Sequence, residues 1–265
     1  MKTIELIGKY AVITGATCGI GKVYATEFAR AGYNLVITGR RDELLHQLAD
    51  DLNREFGVIV EPMILELSVN KDLKRLLTRL EELETIEVLV NNAGFGSRKK
   101  FFSDTFANQE KMLKVHINAT SHITHRVVPK MIRNGGGTII NVSSLAAFTP
   151  LADNYFYCAS KAFLVTFSES LYMDLRDKNI RVQALCPGFT RTEFHARMEA
   201  VAECPRRGIC SAWMSPEDVV RKSLHAIQRK NKVVYVPGVY NNLVFRALKL
   251  VPRWFYYRVA RLVAA

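Results

Sequence analysis

The chain has 265 residues, of which 49% are hydrophobic. This length and composition suit one large globular domain and exclude an intrinsically disordered chain. The formal net charge of +12 belongs to the C-terminal end, because no Asp or Glu follows Asp218 whereas ten Lys and Arg residues do. The part before Asp218 is nearly neutral, so we expect no nucleic-acid partner.

The cysteines and the first residues indicate the cellular compartment. The cysteines form an odd set without a C-x-x-C pair, and the histidines do not cluster, so we expect neither a disulfide framework nor a metal site. Residues 1–6 include an acid and no apolar stretch of signal-peptide length, and no later run approaches a membrane span. The expected location is the cytoplasm. The cysteines are Cys18, Cys158, Cys186, Cys204 and Cys210.

Short β-branched runs alternate with longer segments in which apolar residues recur every three or four positions. Parallel strands need crossover connections, so this alternation predicts a doubly wound parallel sheet with helices on both faces. We expect a single α/β domain of the Rossmann type over residues 1–238, with about seven strands. The predicted strands are 11–13, 35–37, 58–60, 88–90, 138–140, 182–185 and 233–236, and helical periodicity covers 41–55, 71–84 and 156–177.

A glycine-rich turn follows the first predicted strand. Glycines at a strand-to-helix turn let the backbone approach a pyrophosphate, whose negative charge the helix N-terminus favours. The spacing differs from the common G-x-G-x-x-G pattern, and a tight turn that merely packs helix against strand is the alternative. The turn therefore favours a dinucleotide site without establishing it. Its sequence is Thr14-Gly15-Ala16-Thr17-Cys18-Gly19-Ile20-Gly21.

Further motifs follow this turn in order along the chain. Asn91-Asn92-Ala93-Gly94 ends the fourth predicted strand, Asn118 lies in the next helix, and Tyr157 precedes Lys161 by four residues. Pro187-Gly188 and Thr192 follow the sixth strand. With T-G-x-x-x-G-x-G, this set resembles the short-chain dehydrogenase/reductase family over residues 8 to about 236. The resemblance implies an NADP(H)-dependent oxidoreductase that interconverts a carbonyl and an alcohol, and we expect a homodimer or homotetramer.

Tyr157 and Lys161 are the predicted acid/base pair. Residues four apart lie on one face of a helix, so the Lys161 ammonium can stand near the phenol. Such a charge is expected to pull the phenol pKa toward neutrality, where a proton donor works efficiently. Tyr155 is the rival tyrosine, but Ala159 lies four residues beyond it.

The remaining catalytic residues come from the resemblance. It implies that Ser144 hydrogen-bonds the substrate oxygen and that Asn118 holds a water linking Lys161 to solvent. Ser143 would point the opposite way and cap backbone. The alternative for Asn118 is a buried asparagine that satisfies helix backbone. The predicted catalytic set is Asn118, Ser144, Tyr157 and Lys161.

The end of the second strand bears on the choice of cofactor. By the resemblance, NAD-preferring members carry an acid there, whereas Gly39 removes the carboxylate and Arg40 can bind a 2′-phosphate. We therefore expect NADP(H); the alternative is that Arg40 simply begins a solvated helix. Cys18 stands where some relatives have a basic residue, and Ser68 where an aspartate commonly contacts adenine. The predicted cofactor residues are Gly15, Thr17, Cys18, Gly19, Ile20, Gly21, Arg40, Ser68, Asn92, Ala93, Gly94, Tyr157, Lys161, Pro187, Gly188 and Thr192.

Apolar side chains in segments expected to surround Tyr157 favour a bulky or lipid-like carbonyl substrate, with ordinary core packing as the alternative. Residues 189–215 follow a strand end and are long for a loop, which predicts a substrate loop. Residues 148–154 do not resemble those of the family's acyl-carrier-protein ketoreductases, which disfavours that substrate. The apolar side chains are Phe95, Phe148, Leu151, Phe189, Phe194, Trp213 and Met214.

Residues 239–265 form a basic, apolar C-terminal extension, which Pro252 is expected to divide into two helices. A basic helix with aromatic residues can lie in an anionic membrane interface. Packing on the chain's own domain or on a second subunit is the ordinary alternative. Two other functions use fewer of these features: a catalytically silent NADP sensor, and a membrane-surface interaction protein that relies on the extension alone.

Overall fold

The computed structural model describes residues 8–97, 101–102, 105–196, 213–230 and 232–264. Strands and helices alternate along the chain. The strands are β1 Tyr10–Ile13, β2 Asn34–Gly39, β3 Val60–Ile64, β4 Ile86–Asn91, β5 Gly137–Val142, β6 Ile180–Leu185 and β7 Val234–Tyr235. The helices are α1 Gly19–Arg30, α2 Asp42–Phe56, α3 Asn70–Glu82, α4 Phe106–Leu113, α5 Thr120–Arg133, α6 Tyr155–Leu175, α7 Glu193–Ala196, α8 Pro216–Lys230, α9 Val239–Leu250 and α10 Arg253–Ala264.

The strands form one parallel sheet of seven in the order β3-β2-β1-β4-β5-β6-β7. Alternate residues of a strand point to opposite faces. Ala11 and Ile13 of β1 join an apolar cluster with α1, α2 and α8, whereas Tyr10 and Val12 join a second cluster with α3 and α5. The predicted doubly wound sheet with helices on both faces is confirmed.

One strand differs in position from the sequence pattern. The third strand was expected over 58–60, but β3 runs over Val60–Ile64 and includes Pro62. A proline is tolerated there because β3 is an edge strand. The segment 197–212, most of the predicted substrate loop, lies outside the described residues, and so do Cys204 and Cys210.

The two C-terminal helices meet at Val251-Pro252. The α9 helix packs on the domain through Phe245, whose ring lies 4.6 Å from that of Phe148. The α10 helix is attached by the Tyr256 hydroxyl, which donates to the Pro150 carbonyl at 2.7 Å. Within the described residues, no helix combines the length and the apolar character needed to cross a membrane.

The strand order reverses direction between β1 and β4. In an open parallel sheet, such a reversal opens a crevice beyond the carboxyl ends of the strands, and ligands bind there. The predicted glycine-rich turn, Asn92 and Ser144 all follow strands that end at this edge. The fold therefore brings motifs from distant parts of the chain to one place.

Candidate active site

A cavity opens at the carboxyl edge of the sheet, between the loops that follow β1 to β6. Most of the predicted cofactor residues line it, and Gly21 and Ser68 are the exceptions. The predicted residues at the cavity are Gly15, Thr17, Cys18, Gly19, Ile20, Arg40, Asn92, Ala93, Gly94, Tyr157, Lys161, Pro187, Gly188 and Thr192.

The glycine-rich turn is too crowded for side chains at two of its glycines. Gly15 has a φ of +70°, and a Cβ there would lie 2.8 Å from the Ala93 Cα. Gly21 lies just inside α1, where a Cβ would be 2.2 Å from the Gly15 carbonyl oxygen. Gly21 therefore acts through close packing of helix on turn, and this packing leaves the N-terminus of α1 facing the cavity. A dinucleotide pyrophosphate fits this open backbone cradle.

The loop after β4 is bound tightly to the same turn. The Asn92 amide donates to the carbonyls of Thr14 and Gly15 at 3.0 and 2.9 Å. In return, the Thr14 hydroxyl accepts from the backbone nitrogens of Asn92 and Ala93, both at 3.0 Å. These four bonds hold the two loops as one rigid wall of the cavity.

Two arginines stand where β2 ends, and they differ in their contacts. Arg40 donates to the Glu66 carboxylate at 3.0 Å, and its side chain is 56% exposed. Arg41 is less exposed and donates to the Thr17 hydroxyl at 2.8 Å and to Glu193 at 2.6 Å. Both line the cavity. Arg41 was not among the predicted cofactor residues, although the Arg-Arg pair in the sequence could have indicated it.

Ser68 does not take the place expected for it. Its hydroxyl donates to Glu66 at 3.0 Å and does not line the cavity, whereas Glu66 does. Burial raises the pKa of Glu66, but hydrogen bonds from Arg40 and Ser68 outweigh it and lower that pKa. The acid facing the cavity is therefore Glu66, two residues earlier. The loop after β3 places Glu66, and not Ser68, in the wall of the cavity, so a contact of Ser68 with adenine stays a prediction.

Tyr157, Lys161 and Ser144 meet at the inner end of the cavity. Tyr157 and Lys161 lie one turn apart in α6, both buried, with the Lys161 Nζ 5.6 Å from the centre of the Tyr157 ring. The Lys161 ammonium donates to the Val142 carbonyl at 2.9 Å. The Ser144 hydroxyl accepts from the Ala146 nitrogen at 3.1 Å, and its presence beside Tyr157 acts to lower the pKa of that phenol.

The electrostatics of this pair differ from expectation. Burial raises the pKa of Tyr157 to about 12, and the hydrogen bond from Ser144 offsets only part of that rise. Burial also lowers the pKa of Lys161 to about 8. The expected pull of the Tyr157 pKa toward neutrality was wrong, because removal from water favours the neutral form of both groups.

Ser143 has the backbone role expected of it. Its hydroxyl is buried and donates to the Lys161 carbonyl at 2.7 Å. Tyr155, the rival tyrosine, does not line the cavity and stacks edge-on against Phe101, with ring centres 4.9 Å apart. The hydroxyl available to a ligand is therefore that of Ser144, and the phenol is that of Tyr157.

Asn118 is not brought to the site, which corrects its assignment. It is exposed, whereas His116, two residues earlier, is buried beside Lys161. Both residues lie in a π-helical turn, Lys114–Ala119, between α4 and α5. Residues two apart on a helix face different sides, so His116 is buried whereas Asn118 is exposed. Asn118 was assigned from the resemblance, and His116 was not among the predicted residues.

The loop after β6 closes the cofactor side of the cavity. The Pro187 carbonyl accepts from the Leu145 nitrogen at 2.9 Å. At Gly188 a Cβ would come within 2.5 Å of the Asn241 side-chain oxygen. The side chain of Thr192 lies against Gly19 of the glycine-rich turn. These contacts fix the loop between the turn and α9.

These features recur together in one family of enzymes. The family model for short chain dehydrogenases matches residues 9–202. The chain belongs to the short-chain dehydrogenase/reductase family. It is an oxidoreductase that acts on CH–OH or C=O groups, as this family does.

Individual members resemble the chain over most of its length. It is 33% identical to the 3-oxoacyl-[acyl-carrier-protein] reductase of Aquifex aeolicus, over 73% of this chain and 78% of that protein. A short-chain dehydrogenase from Sphingobium yanoikuyae, solved in complex with NADPH, shares 32% identity with a TM-score of 0.82, and 92% of each chain is covered. The bulky-bulky ketone specific alcohol dehydrogenase from Comamonas testosteroni shares 29% identity with a TM-score of 0.77, over 97% of this chain and 93% of that one.

In this short-chain dehydrogenase, only part of the predicted apolar ring faces the cavity. Phe95 and Phe194 line it, and the ring of Phe194 lies 5.8 Å from that of Tyr157. Phe189 instead stacks on Trp213 with ring centres 5.1 Å apart. The other predicted apolar residues, Phe148, Leu151 and Met214, do not line the cavity.

Proposed function

We propose that the protein is an NADPH-dependent reductase of bulky, apolar ketones. One observation carries this proposal: the buried Tyr157, Lys161 and Ser144 converge at the inner end of the cavity that the nucleotide-binding loops line. A binding module that only senses the nucleotide needs the loops but not this buried group. The catalytically silent sensor is therefore the weaker alternative.

The chain's own groups act on the substrate oxygen. NADPH, when bound, supplies the hydride that the carbonyl carbon accepts. Ser144 and Tyr157 offer two hydroxyl donors to the carbonyl oxygen, and these donors stabilise the negative charge that develops on it. The Tyr157 phenol then gives its proton to that oxygen, which completes the alcohol. A pKa of about 12 keeps the phenol protonated at neutral pH, as a proton donor must be.

Lys161 acts as a fixed charge beside this phenol. Its ammonium donates one hydrogen bond to the Val142 carbonyl and has further donors for a ligand in the cavity. In the family this lysine also reaches the nicotinamide ribose, and Lys161 lines the cavity where that ribose would lie. A positive charge there also stabilises the phenolate left after proton transfer.

NADP(H) is the cofactor that the residues fit. The cavity wall at the end of β2 carries Gly39, Arg40 and Arg41, and so it offers two guanidinium groups and no carboxylate at that strand end. A guanidinium forms charge-assisted hydrogen bonds with a phosphate. Glu66 already pairs with Arg40, which orients that arginine.

The substrate proposal depends on the apolar wall beside Tyr157. Phe95 and Phe194 bring aromatic surface to the catalytic end of the cavity, and such surface favours apolar substrates. The relatives named above act on a 3-oxoacyl chain in one case and on bulky ketones in another. We favour a bulky ketone that is not attached to a carrier protein.

A substrate panel with NADPH tests this proposal. Oxidation of NADPH, followed by its absorbance, should be fast with propiophenone, slower with a 3-oxoacyl-carrier protein, and negligible with a keto sugar such as sorbose. Preference for sorbose would contradict the apolar pocket. NADPH binding without turnover of any carbonyl would favour the sensor.

The α10 helix supports a second proposal, a peripheral contact with an anionic membrane. Trp254, Phe255 and Tyr257 are 63%, 48% and 53% exposed. Arg253 and Arg258 accompany these rings, and no acid lies in the extension. Aromatic rings beside basic residues suit an anionic interface. Co-sedimentation with anionic vesicles, with and without residues 239–265, tests it.

We further propose that the enzyme works in the cytoplasm as a homodimer or homotetramer. Phe106 of α4 and Met173 of α6 are 65% and 71% exposed, and large apolar side chains on packed helices can form a contact between copies. Light scattering of the purified protein measures its oligomeric state. A monomer at micromolar concentration would contradict it.

A further inference from the structure

His116 links the loop after β4 to α6, the helix that carries Tyr157 and Lys161. Its Nε2 accepts from the Phe95 backbone nitrogen at 3.1 Å, and its Nδ1 lies 2.8 Å from the Ser160 hydroxyl oxygen. The imidazole is 1% exposed. It reaches so close to Gly94 that a Cβ there would lie 2.8 Å from Nε2.

The hydrogen-bond partners fix the tautomer of this imidazole. The Phe95 N–H can only donate, so Nε2 carries no proton. The Ser160 hydroxyl donates to the Tyr157 carbonyl at 2.9 Å, so it accepts from Nδ1–H. A single chain of bonds thus runs from Phe95 through the imidazole and Ser160 to the backbone of Tyr157.

The surroundings keep the imidazole neutral. Burial lowers the pKa of His116 well below its usual range, and the nearby charge of Lys161 lowers it further. The rings of Phe95 and Tyr157 also face the imidazole, with ring centres 5.9 and 6.0 Å from its own. A protonated ring would also lose the bond from Phe95, because Nε2 would become a donor facing a donor.

We propose that His116 is a positioning residue, which holds the nucleotide-side loop at Gly94-Phe95 and the catalytic helix at Ser160 in a fixed relation. This inference rests on the proposed reduction. Both ring nitrogens are engaged, so the imidazole neither gives nor takes a proton during the reaction. Asn118 has no part in this arrangement.

Substitutions can distinguish the two hydrogen bonds of the imidazole, the one with Phe95 and the one with Ser160. In His116→Asn the shorter amide reaches the region of Nδ1 and can still donate to Ser160. In His116→Gln the longer amide reaches the region of Nε2 and can still accept from Phe95. His116→Phe keeps an aromatic ring but satisfies neither partner. The matched control is His125→Gln, because His125 is exposed on α5.

Kinetics of NADPH and propiophenone test the proposal. We expect kcat to fall about ten- to a hundred-fold in His116→Phe, because small misplacements of reacting groups cost that much. His116→Asn and His116→Gln should each recover part of the loss, with the melting temperature and the KM for NADPH near those of the parent. His125→Gln should behave as the parent. A kcat near the parent's in a folded His116→Phe protein would overturn the proposal.

A measurement on the unmodified protein separates this proposal from the proposed function. In the protein with 15N-labelled histidine, the signals of His116 should show the neutral Nδ1–H tautomer below about pH 6, where an ordinary imidazole is protonated. An imidazolium or an Nε2–H tautomer would overturn the proposal. This readout needs no substrate, so it holds even if no carbonyl is turned over.

Discussion

Replacement of Arg40 by Asp tests the cofactor assignment most directly. Arg40 lies at the end of β2, lines the cavity and is held by Glu66 at 3.0 Å. In Arg40→Asp a guanidinium that can bind the 2′-phosphate is lost, and a carboxylate appears beside Glu66. The new carboxylate repels a phosphate but can accept the ribose hydroxyls of NADH. We therefore expect the parent's preference for NADPH to be reversed.

The size of the effect follows from the contacts. A hydrogen bond to a charged group is worth about 1.5–3 kcal/mol, which corresponds to about ten- to a hundred-fold in affinity. Because the Arg40 side chain is 56% exposed, solvent screens the interaction and favours the lower end of that range. Arg41 is 27% exposed, and it remains in place to bind part of the phosphate charge.

The dissociation constants of NADPH and NADH can be measured by titrating the protein with each cofactor and following nicotinamide or protein fluorescence. Arg41→Asp is the parallel variant, and Arg54→Asp, at the far end of α2, is the control for charge alone. Weaker NADPH binding at higher salt is expected for the parent and for Arg54→Asp, and this effect of salt should be smaller for Arg40→Asp. Equal affinities for the two cofactors in the parent protein would refute the reasoning. If Arg41→Asp changes the preference and Arg40→Asp does not, Arg41 binds the phosphate.

Three other changes test the catalytic residues and the extension. Tyr157→Phe should abolish ketone reduction and leave NADPH affinity nearly unchanged, because the phenol acts on the substrate oxygen; rates like the parent's would contradict the mechanism. With a Lys161 pKa of about 8, the ammonium is present below that pH and lost above it, so kcat/KM for reduction should fall as pH rises through about 8; a flat profile to about pH 10 would exclude Lys161 as the required charge. Trp254→Ser with Phe255→Ser should abolish binding to anionic vesicles and lower the melting temperature less than Phe245→Ser, whose ring packs on Phe148. A larger loss of stability in the double variant would favour packing over membrane contact.

The sequence determined the fold and most of the cofactor cavity. Alternation of β-branched runs with helical periodicity is enough to specify a parallel sheet with helices on both faces, because parallel strands need crossovers. The glycine-rich turn could be predicted from the sequence because the crowded backbone at Gly15 and Gly21 excludes every side chain. The proximity of Tyr157 and Lys161 could be predicted because the two residues lie four positions apart in one helix.

Only the tertiary structure decided which side chains near these motifs are buried and which line the cavity. A π-helical turn places His116 inward and Asn118 outward, and the loop after β3 presents Glu66 instead of Ser68. In both cases the predicted residue lies two positions from the one that the fold places inward, and such a shift depends on local backbone geometry that periodicity does not specify.

The pKa values also required the folded chain. A spacing of four residues predicts that the ammonium lies near the phenol, but it does not determine how much water remains around the pair. Burial of both Tyr157 and Lys161 outweighs their proximity, so the pKa of the phenol rises and that of the ammonium falls. Desolvation is set by every segment that covers a group, which is why the sequence predicted the proposed catalytic pair whereas its protonation depends on the tertiary structure.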